Sequence, residues 1–504
     1  MKVANAGLHT SDCKRRAHMD TIFISSRDNL CYNSSMRNMD FNDNTLSAAD
    51  AMDAAGAMDA ADIICAAGVM GAMEAAGVAV PDILLPDASR CDYGKWAVVA
   101  CDQYTSQPSY WAGIEKTVGD SPSALRLALP EIYLNDDFAN HISRVHRTMD
   151  DYIDRCIFLQ PFSGFILTKR TFAAKQPDTR GAESRWGLIA AIDLDAYSFE
   201  PDAKTLIRST EETAPDRLPP RLEIRRGASL ELPHVLVLAN DRKCALIEPL
   251  VKKAEAGLYK KAYDFELMAD GGRICGYYIE NPRIDMTAAF KTLYADACDS
   301  SDCPMLFAVG DGNHSMAAAK VYWDEVKCSL SPDARASHPA RYALAEIVNF
   351  YSEAVRFEPI HRALYNANIK DLANEAHSFS IKMDPIRGGE ARDNIIYEII
   401  YDRVKRAAIK SELCDSSLPI FELQNFLDFY CKKHPYVSLD YIHGSDELDR
   451  LAREEGCICF KLPPLKKSGF FQMISEKGPL PRKSFSMGEA NDKRYYLEAR
   501  KIIY

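Results

Sequence analysis

Polar and apolar positions along this chain fall into short blocks of two periods. Apolar-rich runs at residues 96–100, 158–169, 186–195, 234–239, 306–309 and 342–348 predict buried strands. Residues 457–464, CICFKLPP, alternate and predict one more, with Cys457 and Cys459 on the same face. Helical spacing appears in SQPSYWAGIEKTVG, with Ser109 as candidate N-cap, and from residue 135 on, where Phe138, Ile142, Val145, Met149 and Ile153 share a face. MAAAKVYWDEV and SGFFQMISEKG continue at the same period. Residues 270–280 predict a hairpin turned by Asp270-Gly271. Residues 366–445 predict two or three helices with few turn cues. The elements interleave without strict alternation, so the expected class is α+β, a mixed α/β fold.

The pattern fails over the first 79 residues, where AMDAAGAMDA and AMEAAG form a crude Ala/Met/Asp repeat and aromatics are scarce. A low-complexity, disordered leader is expected for 1–79. A catalytic or ligand-binding α/β domain is expected for 80–365, and a C-terminal α/β subdomain folding back on it for 366–504. The whole chain has 504 residues, 47% of them hydrophobic and 26% charged, an ordinary globular profile. Its net charge of −11 argues against a nucleic-acid partner, which needs a basic face. The longest uncharged run in the leader, 63–73, falls well short of the roughly 20 residues that cross a bilayer, so no membrane partner is expected. The terminus carries no secretory pattern, and the 15 cysteines lack zinc spacing. Reduced cysteines in a cytoplasmic protein with no metal site are expected. No pattern specifies an oligomeric state.

Three places concentrate chemistry. Asp102 lies in a polar cluster at the end of a buried run, where α/β folds commonly place ligand groups. Arg208, Arg217, Arg221, Arg225 and Arg226 crowd one segment; a solvated ion-paired loop and a phosphate clamp both fit that spacing. At 306–315 a buried run meets Gly310, Asp311 and Gly312, and a helix begins at Asn313, His314 and Ser315. Strand, glycine turn and helix start make an anion site from free N–H groups and the helix dipole. The spacing is neither a Walker A motif nor a dinucleotide fingerprint.

Six stretches in order, WAVVACDQYTSQPSYW, IRSTEETAPDRLPPR, FAVGDGNHSMAAAK, RYALAEIVNF, FEPIHRAL and LPRKSFSMGEA, resemble a bacterial and archaeal family known as domain of unknown function 1015. The resemblance runs from Val80 to the C-terminus. It implies distant kinship with the ParB/sulfiredoxin superfamily, which includes free serine kinases that phosphorylate L-serine with ADP. The implied fold is a ParB/sulfiredoxin-like core with added strands. The implied function is phosphoryl transfer between an adenine nucleotide, ADP or ATP with Mg²⁺, and a small-molecule substrate, serine or O-phosphoserine. The alternative is a non-catalytic, nucleotide-binding regulatory protein of ParB type.

Motif by motif, the resemblance carries over Arg208, Glu211, Thr213 and Arg217, with Thr210 where the family has His. It carries over Asp311, Gly312 and His314, with Asn313 and Ser315 in place of His and Arg. It carries over His361 and Arg362 after Pro359, and Lys483 with Ser484 near the end. The expected catalytic residues are Asp102, Glu211, Asp311, His314 and His361. Arg208, Thr213, Arg217, Gly310, Gly312, Asn313, Ser315, Arg362, Lys483 and Ser484 are expected to bind phosphate or nucleotide.

Overall fold

The computed structural model describes residues 71–504 except 106, 135, 174–182, 281, 301–302, 380, 386–396, 402–404, 412–418 and 455–456. Leader residues 1–70 lie outside the described residues. Residues 72–79 belong to the fold, upstream of the expected boundary. The short helix Ala72–Ala75 and the strand Val78–Ala79, which pairs with Ser184–Asp193, bury Ala72, Met73, Ala76 and Val78 in the core. Small apolar side chains that look like low complexity in sequence pack closely here.

Ten strands form the main sheet. Their path runs Lys261–Glu266, Arg273–Ile279, Phe165–Thr171, Ser184–Asp193, Tyr342–Asn349, Leu236–Ala239, Phe307–Asp311, Ile207–Ser209 and Tyr197–Ser198, with Val78–Ala79 off the path. The first half is antiparallel. Tyr342–Asn349 then pairs parallel with Leu236–Ala239, and Phe307–Asp311 parallel with Ile207–Ser209. The central strands are buried almost throughout. This explains their near-continuous apolar runs, since both faces of the sheet are covered. The hairpin expected at 270–280 forms, joining Lys261–Glu266 to Arg273–Ile279.

A second sheet begins at Phe357–Tyr365, nine residues before the expected boundary. It runs Ile381–Pro385, Lys405–Ser411, Tyr397–Tyr401, Ile458–Lys461, Phe357–Tyr365 and Ser438–His443, with Phe485–Met487 beside Phe357–Pro359. The helices of 366–445 include Ile369–Ala376 and Pro419–Lys433, and four strands that the spacing did not predict lie between and after them. The chain then returns to the first body: Tyr495, Tyr496, Leu497, Ala499 and Ile502 are buried there, and Arg500–Lys501 pairs with Leu230–Glu231.

Residues 96–100 correct another expectation. Trp96 ends a helical turn, Tyr93–Trp96, whose N-cap Asp92 accepts from the Gly94 amide. Residues 97–100 are buried but pair with the C-terminal segment: Tyr495 N donates to Val98 O at 3.0 Å and Ala100 N to Lys493 O at 2.8 Å. The next helix starts at Pro108, with Gln107 rather than Ser109 as N-cap. Among the described residues no helix is long and apolar enough to cross a membrane.

Candidate functional site

The Phe307–Asp311 strand delivers Asp311 to the edge of the core, and the helix Asn313–Lys327 starts two residues later. Gly310 has no room for a side chain: a Cβ would lie 2.6 Å from the Met487 sulfur and 2.8 Å from Leu238. Gly312 turns the chain with φ +79° and leaves the helix start without a side-chain cap, so backbone N–H groups of the first turn stay open. Asn313 Oδ1 lies 2.6 Å from the Ser209 hydroxyl and accepts from Thr210 N at 3.3 Å. His314 Nε2 accepts from Ala214 N at 3.1 Å. Two successive residues of the helix start therefore pin the 209–214 loop. Burial, aided by Arg221 and Arg217, lowers the His314 pKa to about 4, which suits a neutral ring with an accepting Nε2.

Around Asp311 the charges form one neighbourhood. Lys493 Nζ sits 3.1 Å from its carboxylate. Burial alone would lower the Lys493 pKa, but Asp311 and Asp102 outweigh it and hold the ammonium above its ordinary range. Burial acts to raise Asp102, and Lys493, His234 and a hydrogen bond from Gln103 bring it below the usual carboxylate range. Burial lowers His234 against the pull of Asp102 and Asp311. Burial raises Glu211 to about 7, although its carboxylate accepts the amides of Lys483 at 3.2 Å and Ser484 at 3.0 Å. Arg221 pairs with Glu131 and donates to the Arg217 carbonyl at 2.9 Å.

Two cavities meet at His234. One, about 30 Å³, mixes apolar walls with the charged groups Arg185, Asp311, Glu346, Lys493 and Arg494. The other, about 130 Å³, is mainly apolar, with Leu127, Leu129, Met149 and Ile224 in its walls and Arg221, Glu131 and Ser315 as polar groups. Ser315 Oγ lies 2.8 Å from His234 Nε2.

The expected catalytic set is thus only partly assembled. Asp102, Glu211, Asp311 and His314 share this neighbourhood; His361 does not. It lies on Phe357–Tyr365, is 2% exposed, and accepts from Leu462 N at 3.1 Å. Burial lowers its pKa to about 4. Arg208 is also placed elsewhere. Ser209 points toward Asn313, so Arg208 faces the opposite side of the strand. There it donates to Thr205 O at 2.7 Å, Ser475 Oγ at 3.2 Å and Pro304 O at 3.2 Å. Arg362 is fully buried and reaches the site at second hand. It donates to the Lys483 carbonyl at 3.0 Å, and the Lys483 and Ser484 amides hold Glu211. The Lys483 ammonium lies over the Tyr441 ring, and the Ser484 hydroxyl donates to Pro481 O. The buried Thr213 hydroxyl has no hydrogen-bond partner among the described residues.

Sequence reasoning missed Lys493 and His234. His234 carried a weak signal, as a polar residue opening a buried run. Lys493, in a polar tail three residues past the last motif, carried none. Among the described residues no three His, Cys, Asp or Glu side chains gather as metal ligands.

Several solved structures are similar to the chain at a low level. A conserved hypothetical protein from Pyrococcus furiosus is 10% identical, covering 62% of this chain and 95% of that one, with TM-score 0.33. A free serine kinase in complex with AMP is 11% identical over 62% and 92%, with TM-score 0.35. SbnI with a C-terminal truncation, from Staphylococcus aureus, is 9% identical over 62% and 82%, with TM-score 0.32. No curated protein matches the chain. A family model does, across residues 85–500, and the chain belongs to that family, described as "Protein of unknown function (DUF1015)".

Proposed function

We propose that this chain transfers a phosphoryl group between an adenine nucleotide and a small hydroxy amino acid, serine or O-phosphoserine. One observation carries the reading: Asp311 ends a buried strand 3.1 Å from the Lys493 ammonium, beside the open first turn of the helix Asn313–Lys327. Phosphoryl transfer is mostly positioning and charge neutralisation, and this arrangement supplies both. The first-turn amides and Lys493 hold phosphoryl oxygens. Asp311 takes the proton of the attacking hydroxyl. Asp102 keeps Lys493 charged. Arg221, paired with Glu131, lines the cavity shared with His234 and offers it guanidinium donors. A magnesium ion carried by the nucleotide phosphates would be held by Asp102, leaving Asp311 to take the proton, and would supply further neutralisation of phosphoryl charge.

A ligand that binds only the folded state raises the melting temperature by mass action, by about 2.7 kcal/mol of stability at 100 times Kd. ADP or ATP, and separately L-serine or phosphoserine, are expected to raise it. No shift with any of the four removes this reading.

A further inference from the structure

We propose that Ser315 is a phosphoryl-accepting nucleophile with His234 as its base, so that the phosphoryl group rests on the chain between donor and acceptor. The proposal deepens the phosphoryl-transfer reading and depends on it.

The observations are geometric. Ser315 Oγ and His234 Nε2 are 2.8 Å apart, within the reach a nucleophile and its base require. Ser315 is the third residue of the helix Asn313–Lys327, so its hydroxyl sits in the first turn, where amides and the dipole favour negative charge. Both residues line the 130 Å³ cavity, and His234 also lines the smaller cavity that Asp311 and Lys493 border. The imidazole therefore stands between the cavity that Ser315 lines and the charged groups Asp311 and Lys493. His314 and His361 cannot serve in this way, because each has a ring nitrogen committed to a backbone amide. Burial keeps His234 below its ordinary range, which favours the neutral ring, and Asp102 and Asp311 are the charges that offset burial once it takes a proton.

The step balances. As the Ser315 Oγ–P bond forms, its proton passes to His234 Nε2, and the bond from phosphorus to the bridging oxygen of the nucleotide breaks. The nucleotide leaves one phosphate shorter. In the second half the acceptor hydroxyl attacks the same phosphorus and gives its proton to Asp311. The P–Oγ bond breaks, and His234 returns its proton to Ser315.

Three readings test this. The protein is incubated with ATP or ADP, quenched in acid and mapped by mass. One phosphoryl group on Ser315 is expected, absent in Ser315→Ala and strongly reduced in His234→Gln. Diisopropyl fluorophosphate, which needs no nucleotide, is expected to label Ser315 with the same dependence on the two variants. Serine phosphorylation is followed in the same samples, with melting curves as a check that both variants fold. Turnover that continues at the wild-type rate in Ser315→Ala overturns the covalent step and leaves phosphoryl transfer standing. Labelling by the fluorophosphate without any nucleotide-derived phosphate overturns the phosphoryl role. Absence of both labels overturns the pair altogether.

Discussion

Glu498 has no solvent exposure, and its carboxyl accepts the Tyr263 hydroxyl at 2.6 Å. Burial raises its pKa to about 7. Between about pH 4.5 and 7 the folded chain keeps a proton that the unfolded chain releases. Stability therefore falls as pH rises through this window, by an amount on the order of 3 kcal/mol for a shift of this size. Glu498→Gln is expected to lose less stability than the wild type between pH 5 and pH 8 in urea unfolding; equal losses would contradict it. His314 and His361 act oppositely. Lowered to about 4, they lose stability as pH falls from about 6.5, because only the unfolded chain takes up the proton. At the same scale, Asn313→Ala removes the group that ties Ser209 and Thr210 to the helix start. Ser209 keeps the Glu211 carbonyl and Thr210 N the Val309 carbonyl, so the loss should be that of ordinary hydrogen bonds, about 0.5–1.5 kcal/mol, read as a shift in the urea midpoint.

The strand, glycine turn and helix at 307–327 were legible because each piece has a local cause: an apolar run, a positive φ at Gly312 and helical spacing after it. What the strand faces was not legible. Arg208 and Ser209 are neighbours with opposite fates, and only the register against Phe307–Asp311 decides which one meets Asn313. The strands Ile381–Pro385, Tyr397–Tyr401 and Lys405–Ser411 are short and carry few turn signals, so they were read as helical country. Close packing gives this element its own prediction. Gly310→Ala forces a methyl group against Met487 and Leu238, an overpacking cost of about 1–3 kcal/mol. It should also weaken nucleotide-induced stabilisation by shifting Asp311; an unchanged melting point and an unchanged ligand shift would count against this packing.

On the scale of the molecule, the C-terminal segment joins everything the site needs. Phe485–Met487 pairs with the second sheet, Lys493 meets Asp311, and residues 495–502 fill the core beneath residues 97–100. The tail appeared in sequence as a polar wrap, because its buried residues are spaced by charged ones that pair inside: Arg500 with Glu231 at 2.7 Å and Glu498 with Tyr263. Removing residues 489–504 should abolish cooperative thermal unfolding, not merely activity, since it strips buried aromatics as well as Lys493. The central claim concerns chemistry at Asp311 and Lys493. Its most direct test is incubation with L-serine plus ADP or ATP, and with phosphoserine plus AMP, with products detected by mass. The wild type is expected to form phosphoserine or its reverse products, and Asp311→Asn and Lys493→Met, each still melting cooperatively, to fall by about 100-fold or more. A folded wild type that binds nucleotide but makes no product in either direction, or variants that retain full rate, would contradict it.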